Sequence, residues 1–316
     1  MIPIIEEAAL RRVITPQVAV DAMREAFRAD GEGRAHVPAV INLDVPAHHG
    51  EFHVKTALID GVPHVAVKIA SGFYDNPAKG LPSGSGLMAV FDAATGVPVA
   101  LLLDNGFLTD IRTGAAGAIA ADVLAPAQFS VVGVIGSGLQ ARHQLRCLRI
   151  VRRFTRVVAW SPNPSHLDAY IGEMRSEGYE VTSASTPEAV CRAADVIVTA
   201  TPARQPLIRA EWLRPGHHVT ALGSDSPGKQ ELDAACLSRA DLVVVDRLTQ
   251  CASFGELRHA IDAHLLRSDQ VHGELGELVA GLKNGRTSPD QITIADLTGV
   301  GFQDTAIASA AIRLIG

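Results

Sequence analysis

Two patterns of hydrophobic positions divide the chain near residue 125. In the second part, short apolar runs of strand length alternate with segments whose apolar residues recur at helical spacing. This alternation is typical of βαβ units, so we predict a parallel sheet with covering helices. The predicted strands cover residues 130–135, 156–160, 180–183, 195–200, 218–222, 242–246 and 291–297. The predicted helices cover residues 140–148, 166–177, 186–193, 255–266, 275–280 and 304–314.

The first part of the chain follows a different pattern. A helical segment is predicted over residues 4–35, in which Thr15-Pro16 forms a favourable helix start. Short alternating runs then follow, separated by turn residues, and they predict an antiparallel or mixed sheet of its own. A helix of small residues over 114–124 closes this part. The predicted strands cover residues 40–43, 51–59, 64–70, 86–92 and 97–103. The fold class is therefore α/β, with an N-terminal mixed-sheet domain over residues 1–124 and a second domain over 125–297.

A glycine pattern follows the first apolar run of the second part. Gly136-x-Gly138-x-x-Ala141 lies between a predicted strand and a segment of good helix formers. Gly136 suits the tight strand-to-helix turn, Gly138 lets the backbone approach a pyrophosphate, and Ala141 allows close packing of helix on strand. The phosphates would lie at the N–H groups of the helix N-terminus. We therefore predict a Rossmann dinucleotide-binding domain, with an ordinary glycine turn that binds nothing as the alternative.

The residues after the second predicted strand bear on the choice of cofactor. An acidic residue about 20 positions beyond the glycines would bind the ribose diol of NAD. The chain has Ser161-Pro162-Asn163 at this place, and the missing acid permits the 2′-phosphate of NADP. No arginine lies beside these residues to hold that phosphate. NAD and NADP both stay open, with a lean towards NADP.

Composition and charge narrow the class of protein. Hydrophobic residues make up 47% of the 316 residues and aromatic residues 4%, which suits aliphatic packing between helices and sheets. The net charge of −6 and the lack of a basic block argue against a nucleic-acid partner. No apolar run reaches the ~18–20 residues of a membrane span, and the first residues lack a signal-peptide pattern. A cytoplasmic protein without a membrane partner is expected.

Cysteine and histidine spacing gives no sign of a disulfide framework or a metal centre. No C-x-x-C occurs, and the cysteines lie far apart in the sequence, which is typical of free thiols. The histidines show no H-E-x-x-H or other metal-ligand spacing, so no metal site is expected. The cysteines are Cys147, Cys191, Cys236 and Cys251.

Motifs spread along the chain resemble the ornithine cyclodeaminase/mu-crystallin family. They cover nearly the whole chain in the family's order. The matching pieces are Val67-Lys68, Asn76-Pro77, Gly80-Leu81-Pro82, Phe91-Asp92, Thr95-Gly96, residues 103–116, residues 223–232 and residues 296–304. Further phrases resemble the branch found with ectoine-utilisation genes. These phrases lie at residues 54–57, 102–106, 255–257 and 304–308.

The resemblance implies an architecture and a class of reaction. The N-terminal domain, completed by residues 298–316, would bind substrate and join two protomers into a homodimer through its sheet. The reaction would be hydride transfer at a carbon that bears an amino or imino nitrogen next to the carboxylate of a small amino or imino acid. Imine reductases, amino-acid dehydrogenases and cyclodeaminases need the same residues, so the sequence leaves the choice between them open. Ectoine catabolism is a narrower expectation.

Three residues carry the chemistry that the resemblance implies. Lys68 would bind the substrate carboxylate and handle a proton, although its spacing alone also fits an exposed lysine on a strand. Arg112 would bind the carboxylate bidentately near the nicotinamide, where a surface ion pair is the alternative. Asp225 would be the acid or base at the substrate nitrogen, where a turn aspartate is the alternative. A mu-crystallin-like protein that binds NADP and a ligand without significant turnover is the other class considered, and the joint presence of these three residues argues against it.

One departure from the family pattern concerns a second ligand for the carboxylate. The family has an arginine a few residues beyond the proline matched by Pro38, and this chain has none. We hypothesise that Lys55, on the next predicted strand, takes over that function. A solvent-facing strand lysine is the equal alternative. The change puts ornithine itself in doubt as the substrate.

The predicted cofactor contacts come from several loops. The glycine loop and the residues after the following strands belong to the Rossmann motif, and the others follow from the resemblance. The predicted contact residues are Gly136, Ser137, Gly138, Leu139, Gln140, Ser161, Asn163, Thr199, Ala200, Thr201, Gly223, Ser83, Arg112, Thr113, Thr298 and Gly299.

Overall fold

Two separate sheets organise residues 2–316, the part of the chain that the computed structural model describes. The first unit contains the residues up to Arg112 together with Val300–Gly316, and the second contains Thr113–Gly299. The boundary lies inside a helix, whereas the sequence pattern places it at that helix's C-terminal end.

The sheet of the first unit has seven strands and mixed direction. Its order is β1-β7-β6-β5-β4-β2, and β3 also pairs with β4. The β1–β7 pair is parallel and the other pairs are antiparallel, which confirms the predicted mixed sheet. The strands are β1 (Ile4–Glu6), β2 (Ala35–His36), β3 (Ile41–Val45), β4 (Gly50–Ile59), β5 (His64–Phe73), β6 (Gly84–Asp92) and β7 (Pro98–Leu103).

Helices cover one face of this sheet. The helices are α1 (Glu7–Val13), α2 (Pro16–Gly31), the start of α3 (Phe107–Leu124) and the last helix (Gly301–Ile315). The Thr15 hydroxyl accepts from Val18 N at 3.3 Å, as expected for an N-cap before a proline. Phe27 of α2 packs edge-to-face on Phe302 at 5.2 Å between ring centroids, and both rings are buried. The opposite face of the sheet stays partly exposed.

The last helix is fastened to the sheet by polar contacts. The Thr305 hydroxyl donates to the Ala57 carbonyl at 2.7 Å and accepts from Ala66 N at 3.1 Å, which joins the helix to both β4 and β5. A Cβ at Gly301 would overlap the carbonyl of Thr56. Only glycine therefore allows the helix to begin this close to β4. These contacts fix the position of the side chains on the first turn of the helix.

The sheet of the second unit has eight parallel strands in the order β10-β9-β8-β11-β12-β15-β13-β14. The strands are β8 (Val131–Ile135), β9 (Arg156–Trp160), β10 (Glu180–Ser183), β11 (Val196–Thr199), β12 (His218–Ala221), β13 (Leu242–Val245), β14 (Gly273–Glu274) and β15 (Thr293–Asp296). The strand order reverses between β8 and β11, as in a Rossmann fold, and this confirms the predicted fold class.

The helices of the second unit follow the strands. They are α4 (Leu139–Val151), α5 (Pro164–Ser176), α6 (Pro187–Ala193), α7 (Ala234–Arg239), α8 (Leu248–Phe254), α9 (Glu256–Asp262) and α10 (Leu275–Val279), and the helix of the first unit that ends the chain is α11. Two cores of aliphatic residues lie on the two sides of the sheet. Within residues 2–316, no helix combines the length and apolar character that crossing a membrane requires.

The small residues of α3 are explained by its packing within the second unit. A Cβ at Gly114 would lie 2.8 Å from the backbone of His143 on α4. A Cβ at Gly117 would overlap the amide of Gln144, whose Nε2 donates to the Thr113 carbonyl at 3.0 Å. The two helices therefore approach too closely for side chains at these positions.

Several local predictions were wrong or incomplete, including the start of α3, which begins at Phe107 rather than at residue 114. Residues 4–6 form β1 rather than the start of a helix, because they pair in parallel with Leu101–Leu103 of β7. Helices α7 and α8 have six and seven residues, and such short elements carry little periodic signal. Helix α11 begins at Gly301, three residues before the predicted start.

Candidate active site

Four buried charged side chains of the first unit form the group that we name the cation cluster: Lys55, Lys68, Arg112 and Asp304. Lys68 lies on β5 and Arg112 on α3, and each is 3% exposed. Lys68 Nζ is 3.2 Å from Asp304 Oδ1 and 3.0 Å from Oδ2. Arg112 Nε donates to Asp304 Oδ1 at 3.0 Å. One carboxylate on α11 is thus shared by two cations from different elements.

Lys55 is the third cation of the cluster. It lies on β4 directly opposite Lys68 in the antiparallel register, so both side chains leave the same face of the sheet. Lys55 is 8% exposed. The structure therefore places the residue proposed to replace the missing arginine next to Lys68, and it is not a solvent-facing strand lysine.

Electrostatics in the cluster follow from burial and from the excess of positive charge. Burial lowers the pKa of Lys68 to about 7; Asp304 opposes this shift, while Arg112 and Lys55 add to it. Burial disfavours the charged form of Asp304, but Lys68, Arg112 and Lys55 outweigh it and hold the pKa of this carboxyl below its ordinary value. A protonated Lys68 leaves three cations around one carboxylate.

The arginine of the cluster still has a donor to offer. Arg112 Nε binds Asp304, and Nη1 donates to Gln303 Oε1 at 2.7 Å. Within residues 2–316, Nη2 has no hydrogen-bond partner, and the buried Gln303 Nε2 has none either. Two donor groups, Arg112 Nη2 and Gln303 Nε2, therefore remain in this part of the first unit, and an incoming carboxylate would satisfy them.

A second carboxyl, Asp104, lies at the start of α3. Its Oδ2 accepts from Leu108 N at 2.9 Å, and its carbonyl accepts from Phe107 N at 2.9 Å. Burial raises the pKa of Asp104 to about 6, partly offset by the backbone N–H groups of Leu108, Gly106 and Asp104 itself and by the charge of Lys68. Asp104 therefore holds the first turn of the helix that carries Arg112.

The glycine loop of the second unit fits a dinucleotide. Gly136 has φ +120°, and a Cβ there would lie 2.6 Å from the Ala200 carbonyl, so a glycine is required. Gly138 is the N-cap of α4, and a Cβ there would meet no protein atom within 4 Å. Open space in front of a helix N-terminus without a side-chain cap suits a pyrophosphate.

The residues after β9 extend the same edge of the sheet. Ser137 donates to Ser161 Oγ at 2.9 Å, which ties the glycine loop to the loop after β9. Asn163 is the N-cap of α5, and its Oδ1 accepts from His166 N at 3.2 Å. No acidic side chain occupies residues 160–166.

Buried carboxylates hold the loops at the carboxyl ends of the strands, and we name Glu231, Asp246, Glu256 and Asp296 the carboxylate network. Glu231 accepts four hydrogen bonds of 2.7 Å, from Thr199 Oγ1, Thr201 N, Thr201 Oγ1 and Gly223 N. The loops after β11 and β12 are thereby joined through one side chain. These threonine hydroxyls point to an acid, so a cofactor would meet other atoms of the loop.

The remaining members of the carboxylate network act in the same way. Asp246 accepts from Thr298 N at 2.8 Å, from Thr298 Oγ1 at 2.9 Å and from Gly299 N at 2.6 Å. Glu256 accepts from the backbone N–H groups of Glu231 and Leu232 at 2.7 and 3.1 Å. Asp296 Oδ2 accepts from Leu257 N at 2.9 Å. Each acid replaces solvent as the partner of backbone donors near the sheet edge.

Burial governs the protonation of this network. It raises the pKa of Glu231, and it raises that of Glu256 well above its ordinary value with the help of Asp296 and Glu231. Burial raises the pKa of Asp296 to about 7, opposed by the N–H groups of Leu257 and Glu256.

Asp225 lies beyond β12 at this sheet edge. Its side chain is 50% exposed, and Lys229 Nζ donates to its Oδ1 at 2.7 Å. An exposed carboxylate with a nearby ammonium can exchange protons with a bound ligand, which the buried acids of the network cannot do easily.

The structure groups the predicted residues by unit. The first unit brings Lys55, Lys68 and Arg112 together, while Ser83 is exposed before β6 and lies five residues from Met88, the strand neighbour of Lys68. The second unit places the other predicted cofactor residues at the carboxyl edge of its sheet or in the loops there, apart from Thr113 on α3. These residues are Gly136, Ser137, Gly138, Leu139, Gln140, Ser161, Asn163, Thr199, Ala200, Thr201, Gly223, Thr298 and Gly299.

Sequence reasoning missed two kinds of site residue. Asp304 and Gln303 lie in one of the motifs that resemble the family, but no function was predicted for them. An acidic residue in an otherwise apolar helix is a signal that could have identified Asp304. Glu231, Glu256 and Asp296 also lie in motifs that resemble the family, but their hydrogen bonds to loops distant in sequence give no local signal. Within residues 2–316, no group of three or more His, Cys, Asp or Glu side chains is arranged to hold a metal ion.

Comparisons with known proteins identify the family and similar folds. The model of the ornithine cyclodeaminase/mu-crystallin family matches residues 6–313. The iminosuccinate reductase of Paracoccus denitrificans is 34% identical over 98% of this chain and 96% of its own. An archaeal alanine dehydrogenase dimer with bound NAD has a TM-score of 0.92 and 35% identity, covering 99% of this chain and 95% of its own. The Δ1-pyrroline-2-carboxylate reductase of Thermococcus litoralis, in complex with NADH and L-proline, has a TM-score of 0.95 and 28% identity, covering 99% and 97%.

Proposed function

The chain belongs to the ornithine cyclodeaminase/mu-crystallin family, and from this premise we propose that it is a nicotinamide-dependent enzyme acting on a small α-amino or α-imino acid. The observation that carries the proposal is the buried cation cluster, in which Lys55, Lys68 and Arg112 surround a single carboxylate. Relatives named as an iminosuccinate reductase, an alanine dehydrogenase and a pyrroline-carboxylate reductase support an oxidoreductase acting at an amino or imino carbon.

The cation cluster would bind the substrate carboxylate. Arg112 would donate from Nη2, and Lys68 and Lys55 would supply the opposing charges. A carboxylate beside Lys68 would raise its pKa from about 7, so binding would keep the ammonium charged at neutral pH. Desolvation of the cluster strengthens this attraction, because few water molecules compete for the charges.

The glycine loop of the second unit would hold the dinucleotide through Gly136, Ser137, Gly138 and the first N–H groups of α4. The bound nicotinamide would supply the hydride for the imine carbon. Asp225 would hold or release the proton at the substrate nitrogen, because it is an exposed acid at this sheet edge.

NADP is the narrower proposal for the cofactor. The loop after β9 offers Ser161 and the N-cap Asn163 without an acid, so nothing there repels a 2′-phosphate. Relatives with bound NAD or NADH show that the family accommodates the unphosphorylated form. Fluorescence titration with NADH and NADPH decides between them, and at least about tenfold tighter binding of NADH would overturn the lean towards NADP.

Turnover on a defined panel tests the function. The panel contains Δ1-pyrroline-2-carboxylate, iminosuccinate generated in place, pyruvate with ammonia, ornithine and 2,4-diaminobutyrate, followed by NAD(P)H absorbance and ammonia release. Stoichiometric oxidation of NAD(P)H by an imine, lost in Lys68→Ala and Asp225→Asn, is the expected result.

Two other results would change the proposal. Ammonia released from a diamino acid without net cofactor change would establish a cyclodeaminase, and would bring back the ectoine-related interpretation of the sequence. Tight binding of NADPH with no turnover on the panel would leave a mu-crystallin-like binding protein.

Two glycine variants separate cofactor binding from folding. In Gly138→Ala the new methyl meets no protein atom, so we expect unchanged thermal stability and at least tenfold weaker NADH binding. In Gly136→Ala the methyl meets the Ala200 carbonyl at a left-handed φ, so a stability loss of about 2 kcal/mol is expected. Differential scanning fluorimetry with NADH titration measures both, and equal NADH affinity for Gly138→Ala and wild type would contradict this role of the loop.

A homodimer through the N-terminal sheet is part of the proposal. The sheet face opposite Lys68 is apolar and only partly covered, with Ile41 64% and Leu43 60% exposed. The alternating register adds four further side chains to this face: Phe52, Val54, Ile69 and Leu87. Such a face is typical of a contact between two copies of one chain. Light scattering should show a dimer that Ile41→Glu/Leu43→Glu converts to a monomer, with Leu282→Glu, exposed in the second unit, as the control.

A substrate-binding and dimerisation domain over residues 1–124 and 298–316 is proposed on the same grounds. A cytoplasmic location stays a prediction from the sequence.

A further inference from the structure

Asp304 lies where Lys68 and Arg112 of the cation cluster meet. Its Oδ1 is 3.2 Å from Lys68 Nζ and 3.0 Å from Arg112 Nε. We propose that Asp304 is a positioning residue, whose carboxylate orients the Lys68 ammonium and the Arg112 guanidinium for the substrate and keeps Lys68 charged near neutral pH. The orientation of the two cations for substrate rests on the proposed function. The effect of Asp304 on the charge of Lys68 does not depend on that function.

The charges that face Lys68 come from every element around it. Lys55 faces it from β4 and Arg112 from α3, and both disfavour its protonated form. Asp304 faces it from α11, and Asp104 from the turn before α3. Asp104 is committed to Leu108 N, and burial raises its pKa to about 6. Asp304 is thus the main charge that stabilises the ammonium, and without it three buried cations would face one another.

The fold gives Asp304 the rigidity that this role needs. The hydroxyl of its neighbour Thr305 bridges β4 and β5, and Gly301 fits against the backbone of Thr56. Asp304 also lies in the first turn of α11, where the helix dipole stabilises a negative charge. The carboxylate therefore stays ionised at a fixed position on α11 against the sheet.

Asp304 and Gln303 together set the plane of the arginine. Asp304 accepts from Nε and Gln303 accepts from Nη1, so two adjacent residues of α11 hold two edges of one planar group. A planar group fixed at two points presents its remaining donor in one direction. The substrate carboxylate would meet a preformed site.

The direct test is a ¹³C NMR titration of Lys68 in the full chain without added ligand. Selective lysine labelling gives few signals, because the lysines are Lys55, Lys68, Lys79, Lys229 and Lys283. Lys68→Met assigns the signal. In wild type we expect a midpoint near pH 7, and in Asp304→Asn a midpoint at least about 1 pH unit lower, which is a tenfold loss of proton affinity.

Controls separate this role from simple folding. Asp304→Glu keeps the charge and should keep the Lys68 midpoint close to that of wild type even if packing suffers. Asp21→Asn, on the exposed face of α2, should leave the midpoint unchanged. A residue that only fastened α11 would change the unfolding temperature of Asp304→Asn without moving the midpoint, and that result would overturn the proposal.

The pH dependence of kcat/KM for an imino acid gives the second readout. If Lys68 must be protonated to bind the carboxylate, the rate should fall above the Lys68 midpoint, and in Asp304→Asn the fall should begin at lower pH. Absence of turnover in wild type would overturn the proposed function, whereas the NMR midpoints would still decide the role of Asp304. Equal pH profiles in the two proteins would overturn the positioning role in catalysis.

Discussion

The cation cluster of the first unit and the carboxylate network of the second are both groups of buried charge, yet their partners differ. Glu231 accepts four hydrogen bonds and Asp246 four, including one from Cys251 Sγ. In the cation cluster, Lys68 and Arg112 share Asp304, Lys55 adds a third positive charge, and a donor of Arg112 is left over.

This difference distinguishes charged groups that stabilise the fold from charged groups that are available to bind a ligand. A buried ion needs partners, and the acids of the network find them in backbone N–H groups of neighbouring loops. The cation cluster carries more positive charge than its own acid neutralises, so part of its burial cost is recovered only when an anion binds. Removing an acid from the carboxylate network should therefore lower the free energy of unfolding. Removing a cation from the cation cluster should instead weaken binding of the ligand.

The largest effect is expected from Lys68→Met. The methionine fills a similar volume, and Arg112 remains paired with Asp304, so we expect the free energy of unfolding to change by less than about 1 kcal/mol. The loss of a desolvated partner for the carboxylate should lower kcat/KM for the imino acid about 1,000-fold, or ~4 kcal/mol. Steady-state kinetics and urea unfolding measure the two quantities. The matched control is Lys283→Met in the second unit, which should keep full activity. High activity of Lys68→Met would show that the charge of Lys68 is not needed for binding of the substrate.

Glu231→Ala is the opposite experiment. It leaves the hydroxyls of Thr199 and Thr201 and the N–H of Gly223 without their acceptor in a buried place. We expect a loss of about 3 kcal/mol in the free energy of unfolding, measured in urea, together with weaker NADH binding. Glu188→Ala removes an exposed acid of α6 and should cost less than about 0.5 kcal/mol. Equal stability of the two variants would show that Glu231 is not a structural charge.

Lys55→Met tests how much the third cation of the cluster contributes to binding of the substrate. Lys55 contributes its positive charge from the strand next to that of Lys68. We expect KM for the imino acid to rise about tenfold, or ~1.4 kcal/mol, with a smaller change in kcat. Lys55→Arg should keep the wild-type KM. An unchanged KM in Lys55→Met would mean that Lys55 does not replace the missing family arginine.

The smallest effect concerns pH and the carboxylate network. The folded pKa of Asp296, raised by burial to about 7, exceeds its unfolded value of about 3.9. The folded state therefore holds the proton more tightly, and this contribution to stability is complete below about pH 4 and is lost as the pH rises to 7. Asp296→Asn removes the loss, so its stability relative to wild type should increase by about 1 kcal/mol between pH 6 and pH 7.

Chemical denaturation at the two pH values checks this prediction. Burial also lowers the pKa of His217 and His218 to about 4 and 3, but these groups titrate in both proteins and cancel in the difference. A stability difference independent of pH would show that Asp296 is ionised throughout this range.

Much of the architecture could be predicted from local sequence. The helix start at Thr15-Pro16, the alternating strands and the turn at Gly136 each depend on the residues beside them, and the structure shows all three. The strand Ile4–Glu6 could not be found in this way, because its partner is Leu101–Leu103, nearly one hundred positions away.

The candidate site divides in the same manner. Lys68 and Arg112 stand in motifs, and Lys55 was inferred from its position on the neighbouring strand. Asp304 pairs with Lys68 across 236 positions, and its importance becomes visible only when α11 is placed on the sheet. The acids of the carboxylate network likewise accept hydrogen bonds from loops that are distant in sequence, so these contacts could not be predicted from local sequence.

The proposed function requires the cation cluster to bind the substrate carboxylate. The most direct measurement compares kcat/KM for the imino acid turned over fastest with kcat/KM for the same imine lacking its carboxylate, in wild type and in Lys68→Met. We expect a preference of at least about 100-fold for the carboxylate in wild type, reduced at least tenfold in Lys68→Met. An equal preference in the two proteins would contradict it, because the carboxylate would then be recognised elsewhere.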